Sequence, residues 1–248
     1  MSISVVQTNV NSGFAGTLPY TSTITLSQPV LGNSLIVATV LRSGGAIGST
    51  PVVTGVADSA GNTYSRITYL YDPGNYYGGV ELWWCSSVTA TGSGTLTITV
   101  SFGGVSGTAA PVLNSLEASG IATIDQSATN YNNSGTATTL AATLPSNNAN
   151  ASELVVAFVS TMNYSGGSTI GLTTPPSNNS VGGAFTNFGF YDNNGGNFGG
   201  AYSAGYKITS SVEDSSALWS WTGANAPFAI IASFAGASSP QLMGQAWL

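Results

Sequence analysis

Histidine is missing from this sequence, lysine and arginine together occur three times, and cysteine occurs once. Each scarcity removes a class of chemistry. Without histidine, Ser-His-Asp or Cys-His nucleophilic catalysis in its usual form is excluded, as are the ordinary zinc and non-haem iron sites. A single cysteine, Cys85, allows no intrachain disulfide. It follows two tryptophans with no cation nearby in sequence, which reads as a buried, inert thiol. The cations are Arg42, Arg66 and Lys207, set against nine acids for a net charge of −6. No basic stripe can be assembled from them, so nucleic acid is excluded as a partner and anionic membrane surfaces are disfavoured. No apolar run approaches the roughly 20 residues that span a bilayer. The opening "MSISVVQTNV" has neither a basic n-region nor a long apolar h-region, so no secretory signal and folding in a cytoplasm are expected. The Gly-rich stretches near residue 166 and at 195–200 do not stand between a strand and a helix, so no phosphate or dinucleotide loop is read there and no cofactor is expected.

Charged residues make up 5% of the chain, where about 25% is ordinary. Solubility must then come from neutral Ser, Thr, Asn and Gly. With 42% hydrophobic residues a large core is available, so the chain is not disordered. Period-2 alternation dominates. "GTLTITVSF" (94–102) sets Leu96, Ile98 and Val100 on one face and Thr95, Thr97 and Thr99 on the other. Further strands are predicted at 22–26, 34–40, 51–57, 65–71, 79–84, 111–119, 153–160, 201–209, 217–221 and 228–234. Short helical turns fit only 105–112 or 144–153. Strands at this spacing predict an all-β fold, an antiparallel sandwich or barrel.

The chain also repeats itself. "SLIVATV" (34–40) matches "ELVVAFV" (153–159), and "YDPGNYYGGV" (71–80) matches "YDNNGGNFGGA" (191–201). "LTITV" (96–100) matches "ALWSW" (217–221), and "APVLNSLEASG" (110–120) matches "APFAIIASFAG" (226–236). The offset stays between about 116 and 121 residues over four landmarks in one order, which predicts two halves related by a pseudo-twofold axis. They could interleave in one sandwich or stand as tandem small sandwiches, and one merged domain is preferred. The expected division is 1–32 (an N-terminal arm and first strands), 33–236 (a β-sandwich of halves 33–120 and 152–236) and a tail, 237–248. Residues 121–150 join the halves, with their own alternating stretch at 136–144 reading as a further strand pair.

Few residues invite a site. "DSAGNTY" (58–64) could be a metal loop, but it offers only Asp58 and Asn62 as oxygen-bearing ligands of the calcium-loop kind. Asp, Asn and Gly are also what a hairpin turn needs, so the turn reading is favoured. The same weighing applies to Asp72 and to Asp192–Asn194. Paired acids for glycoside hydrolysis could come from Glu81, Glu117, Asp125 and Glu153, with Glu117 and Asp125 closest to sharing a rim. No residue is nevertheless assigned a catalytic or metal-binding role. The two matched aromatic loops are the best binding candidates. Tyr76, Tyr77 and Phe198 beside Asn75, Asn193, Asn194 and Asn197 offer flat rings next to amides, the mix that suits a sugar or a subunit contact. Trp83 and Trp84 point to opposite faces, so one of them, with Trp83 the candidate, is expected in a subunit interface. Trp219 and Trp221 align with Ile98 and Val100 and read as core.

The order "VADSAGNTY", "VELWWCSSV", "GTLTITVSF", "LEASGIATIDQSA", "ASELVVAFV" resembles the β-sandwich, jelly-roll-like modules of tailed-phage virion proteins and large bacterial surface proteins. The resemblance runs through residues 33–236 and consists mostly of turn chemistry. It implies a non-catalytic role. The expectation is a virion structural protein, a capsid decoration (cement) or fibre component that forms a homo-oligomer and contacts a capsid or tail protein, located in the virion. The alternative is a carbohydrate-binding or adhesive module at a cell surface, with glycans as ligand. On the first reading the N-terminal segment and the tail "SSPQLMGQAWL" (238–248) are arms reaching a neighbouring subunit.

Overall fold

The computed structural model describes residues 2–12, 16–43, 52–71, 78–92, 94–103, 108–132, 134, 137–163, 171–172, 177–178, 184–193, 200–222 and 225–236. The first half supplies β1 (Ser4–Ser12), β2 (Gly16–Thr17), β3 (Tyr20–Leu26), β4 (Ser34–Ser43), β5 (Val53–Asp58), β6 (Ser65–Tyr71), β7 (Gly78–Cys85), β8 (Leu96–Phe102) and β9 (Thr108–Ser119). These form a large sheet in the order β1-β9-β4-β7-β6, with β2 also on β9, and a small sheet β3-β8-β5. The second half supplies β10 (Ile121–Tyr131), β11 (Thr139–Thr143), β12 (Glu153–Asn163), β13 (Gly171–Leu172), β14 (Ser177–Asn178), β15 (Thr186–Asn193), β16 (Gly200–Ile208), β17 (Ser216–Thr222) and β18 (Asn225–Gly236). Its large sheet is β10-β18-β12-β16-β15 and its small one β11-β17-β13, with β14 also on β17. Among the described residues every pairing is antiparallel. The two large sheets have the same strand order, with β10, β18, β12, β16 and β15 standing where β1, β9, β4, β7 and β6 stand.

Three cores result. Leu35, Val37, Leu41 and Leu113 of the first large sheet meet Ile24, Leu96, Ile98 and Val100 of its small sheet. Val155, Val159 and Ile231 meet Leu140, Trp219 and Trp221 in the same way in the second half. The third core lies between the large sheets, where Ile36, Val40, Leu82, Val112 and Leu116 pack with Val156, Phe158, Phe228, Ile230 and Phe234. The halves are therefore not interleaved. Each is a sandwich of its own, and the two stand back to back in an antiparallel β stack of four layers. β1 lies against β15 and β6 against β10, so each large sheet meets the other along both edges.

This layering explains two kinds of strand sequence. The small sheets have an outer face, and β8 alternates accordingly, with Leu96, Ile98, Val100 and Phe102 buried between half-buried Thr and Ser. The central strands of the large sheets have none. Every residue from Leu35 to Leu41 is therefore buried, and β4 reads as a nearly continuous apolar run rather than an alternating one.

The same faces correct one alignment. Matching "SLIVATV" to "ELVVAFV" equates Leu35 with Leu154, but Leu35 faces the first half's own core and Leu154 the core between the halves. Val155 is the true counterpart: Leu35 pairs with Glu117 and Cys85, and Val155 pairs with Ser233 and Lys207. A one-residue slip is invisible in a strand buried on both sides, yet it turns every side chain to the wrong core.

Among the described residues there is no helix: of the two stretches that fit helical turns, 108–112 lies in β9 and 144–152 is irregular chain leading into β12. β1, β10 and β15 are strands that the alternation did not mark. Residues 4–12 run along β9 inside the first large sheet. The tail 238–248 lies outside the described residues.

Candidate functional site

The matched aromatic loops join equivalent hairpins, β6 to β7 and β15 to β16. Asn75, Tyr76, Tyr77, Asn194, Asn197 and Phe198 lie outside the described residues, as does Asp72. Asn193 is placed only by its backbone, at the end of β15 opposite Gly200. Trp83 is not at a surface. It is buried in the first sandwich, donates from Nε1 to Glu81 at 3.1 Å and carries the Arg66 guanidinium 4.6 Å above its ring. Trp84, on the opposite face, packs towards the core between the halves, 5.9 Å from the Phe234 ring. Both tryptophans are thus internal because the large sheet is covered on both sides.

The Asp58 loop is a knot of its own hydrogen bonds. Asp58 Oδ1 accepts from the backbone N–H groups of Ala60 (2.9 Å) and Asn62 (3.0 Å), and Oδ2 accepts from Asn62 Nδ2 and Tyr64 Oη, both at 2.9 Å. Gly61 takes φ +82°, a conformation that suits glycine. Asn62 reaches onward, accepting at Oδ1 from the N–H groups of Thr89 and Ala90 and donating to Ala90 O. One expectation needs correcting. The loop is no hairpin, since β5 belongs to the small sheet and β6 to the large one. Its turn residues carry the chain from one layer to the other.

All four glutamates of the chain are buried, at 0% exposure for Glu81, Glu117 and Glu153 and 5% for Glu213. Glu81 on β7 accepts from Val53 N (2.9 Å) on β5 and so ties the large sheet to the small one. It also accepts from Arg66 Nε at 2.7 Å and from Tyr71 Oη. Burial and the neighbouring Glu81 hold the Tyr71 phenol well above its ordinary range. Glu117 on β9 accepts from Gln7 Nε2 (2.6 Å), Asn33 Nδ2 (2.6 Å) and Val30 N (2.8 Å). Three donors thus converge on one carboxyl group, and none of them is a cation.

The counterpart of Glu117 is Ser233, and the counterpart of Asn33 is Glu153. The second sandwich has moved the buried acid one strand across. Glu153 Oε1 accepts from Asn150 N (2.9 Å), while Oε2 is buried without a partner among the described residues. Asp125 stands nearby, accepting from Ala149 N at 3.1 Å, with Ser233 Oγ 3.5 Å from its Oδ2. Burial, reinforced by Asp125, raises the Glu153 carboxyl above the ordinary glutamate range. Glu117 and Asp125, the pair considered for hydrolysis, belong to different sandwiches and share no partner among the described residues. The acids that the fold brings together are Asp125 and Glu153.

A fourth set holds Lys207 and Glu213, with side chains 3% exposed each, joined by a direct ion pair. Cys85, at the position in β7 that Lys207 has in β16, donates to Ser87 O, and burial raises its thiol above the ordinary range. Among the described residues no group of three or more His, Cys, Asp or Glu is placed to hold a metal ion.

Sequence reasoning missed the amide seams. Gln7 donates to Ser27 O (3.1 Å) and accepts from Ser27 N (3.0 Å). Gln126 does the same with Asn147 O (2.9 Å) and Ser146 N (3.0 Å). Asn11 donates to Thr23 O (2.6 Å), and Asn130 donates to Ala141 O (2.7 Å). One edge strand of each large sheet, β1 or β10, is sewn by side-chain amides to the edge of its small sheet. A strand edge otherwise left open to foreign pairing is closed without charge. The signal was present: "QTNVN" (7–11) and "QSATN" (126–130) repeat at the offset of the other landmarks.

In comparisons with protein-family models, curated proteins and solved structures, nothing matched this chain.

Proposed function

We propose that the chain is a non-catalytic structural protein of a virion, a capsid decoration or fibre component that associates with itself on a larger assembly. The observation that carries this reading is where the acids go. All four glutamates are spent inside the fold, together with Asp58 and Asp125, each accepting hydrogen bonds that hold strands or loops in place. What faces outwards on the small sheets is neutral: Thr21, Thr23 and Thr25 on β3 are exposed. A surface of that kind loses little when a neighbouring subunit covers it, since no ions have to be stripped of water. The sequence resemblance to virion β-sandwich modules supplies the setting.

Self-association has a candidate surface. Val30 and Leu31 are 56% and 62% exposed, and Val30 is pinned by its N–H to Glu117, the residue that also binds Gln7 beside exposed Val6. Sedimentation of the purified chain at micromolar concentration is expected to give a homo-oligomer, which Leu31→Lys weakens. A strict monomer at every concentration, together with no retention on particles of the parent virus, would overturn the reading.

A further inference from the structure

Lys207 is the only lysine in the chain. A lone cation on a surface would serve solubility, but this one is 4% exposed. Its Nζ donates to Oε1 of Glu213, and the Phe185 ring lies 5.4 Å from it. Ser215 Oγ donates to the same carboxyl oxygen at 3.2 Å, while Glu213 Oε2 is buried with no partner among the described residues. Both backbones are fixed. Lys207 is paired with Val155 within the sheet, and Asn148 holds Glu213 from two sides, donating its N–H to Glu213 O at 3.0 Å and accepting from Glu213 N at 2.5 Å. Taking two charges out of water costs several kcal/mol per ion, and a buried pair regains that only when its remaining lone pairs are hydrogen-bonded. Here one oxygen is not.

We propose that Lys207 and Glu213 condense to an intramolecular amide that staples β16 to the segment leading into β17. The reaction starts when a proton passes from Nζ to Oε1, the oxygen to which it donates, leaving an amine beside a carboxylic acid. The neutral amine is then the nucleophile, held against its acyl partner, a fixed geometry worth on the order of 10⁵ M or more in effective concentration. Nζ attacks Cδ, and the Ser215 hydroxyl, which donates to Oε1, steadies that oxygen as it departs. The Cδ–Oε1 bond breaks, and Oε1 leaves as water, carrying the proton received first and a second one lost by Nζ, while Oε2 remains as the amide oxygen. Ammonium and carboxylate become amide and water, with no oxidant or co-reactant. The first sandwich has no counterpart, because Cys85 occupies that position.

The test needs only the purified full-length chain. Its denatured intact mass is expected to fall one water below the sequence mass, after allowance for removal of Met1. Trypsin has three cleavage positions, Arg42, Arg66 and Lys207. After denaturation an acylated Lys207 is not cut, so residues 67–248 stay together and 208–248 is not released. Lys207→Arg, whose guanidinium is not a nucleophile at this pH, is expected to restore both the full mass and cleavage at position 207. An intact mass equal to the sequence mass with free release of 208–248 would overturn the proposal. So would a loss of one water accompanied by normal cleavage at Lys207, which places the dehydration elsewhere.

Discussion

The two sandwiches share one strand order and differ in how each disposes of its buried acid. In the first, Glu117 sits on β9 and is met by three neutral donors. In the second, the acid has crossed to β12 as Glu153, with one oxygen unpartnered and Asp125 beside it. The amide seams remained the same, Gln7 and Asn11 against Gln126 and Asn130. The core changed shape: Ile98 and Val100 in the first half stand where Trp219 and Trp221 stand in the second. Topology and edge closure are thus the robust features, while ionisable residues move as long as a donor set moves with them.

The strongest way to break the comparison is to empty the second core. Trp219 is fully buried, and Trp219→Ala is expected to cost about 3–5 kcal/mol, against about 1 kcal/mol for Ile98→Val at the matching position, read as shifts in the urea midpoint. Equal losses would mean that the larger side chain of the second core adds nothing to its packing. Next comes Glu117→Ala, which leaves Gln7 Nε2, Asn33 Nδ2 and Val30 N without their acceptor. About 1–3 kcal/mol for each donor that stays buried predicts a larger loss than for Glu153→Ala, where fewer donors are orphaned.

The joint between the halves can be wedged apart at Gly189. A Cβ there would lie 2.5 Å from Tyr202 Oη and 2.7 Å from Asn114 Oδ1, which are hydrogen-bonded to each other across the two large sheets. Gly189→Ala is expected to cost about 1–3 kcal/mol and to raise amide exchange in β15 and β16 before β8 is affected. Gln7→Ala and Gln126→Ala sharpen the likeness instead, each losing about 1 kcal/mol, and a seam worth much more in one half would refute their equivalence.

The smallest effect is in pH. Burial holds the Glu153 proton more tightly in the folded chain than in the unfolded one. Its contribution to stability is therefore full below the ordinary glutamate range and is lost as pH rises through the higher folded value. Chemical denaturation across that window is expected to find stability falling in the wild type and a flatter profile in Glu153→Gln. A wild-type profile that climbs instead would sink this assignment.

Much of the scaffold was legible because one-sided strands write their burial into the sequence. β8 announced both faces, and Trp219 and Trp221 lie in the core that the repeat assigned to them. β1 and β10 were not read as strands because their exposed sides carry Gln, Asn and Thr, and their pairing to β9 and β18 is what makes them strands. The roles of the glutamates were less legible still. Asn33 lies 84 residues from Glu117, and Gln7 lies 110 away.

By itself the sequence determined an all-β chain with neutral outer faces, since alternation of side chains along a strand is a local property of the backbone. Only the tertiary structure decided which core each face of β4 and β12 meets, that the halves stand back to back, and which distant donors receive each buried acid. Alternation defines two faces but names no partner, and partners are chosen when strands far apart in the chain are brought into register.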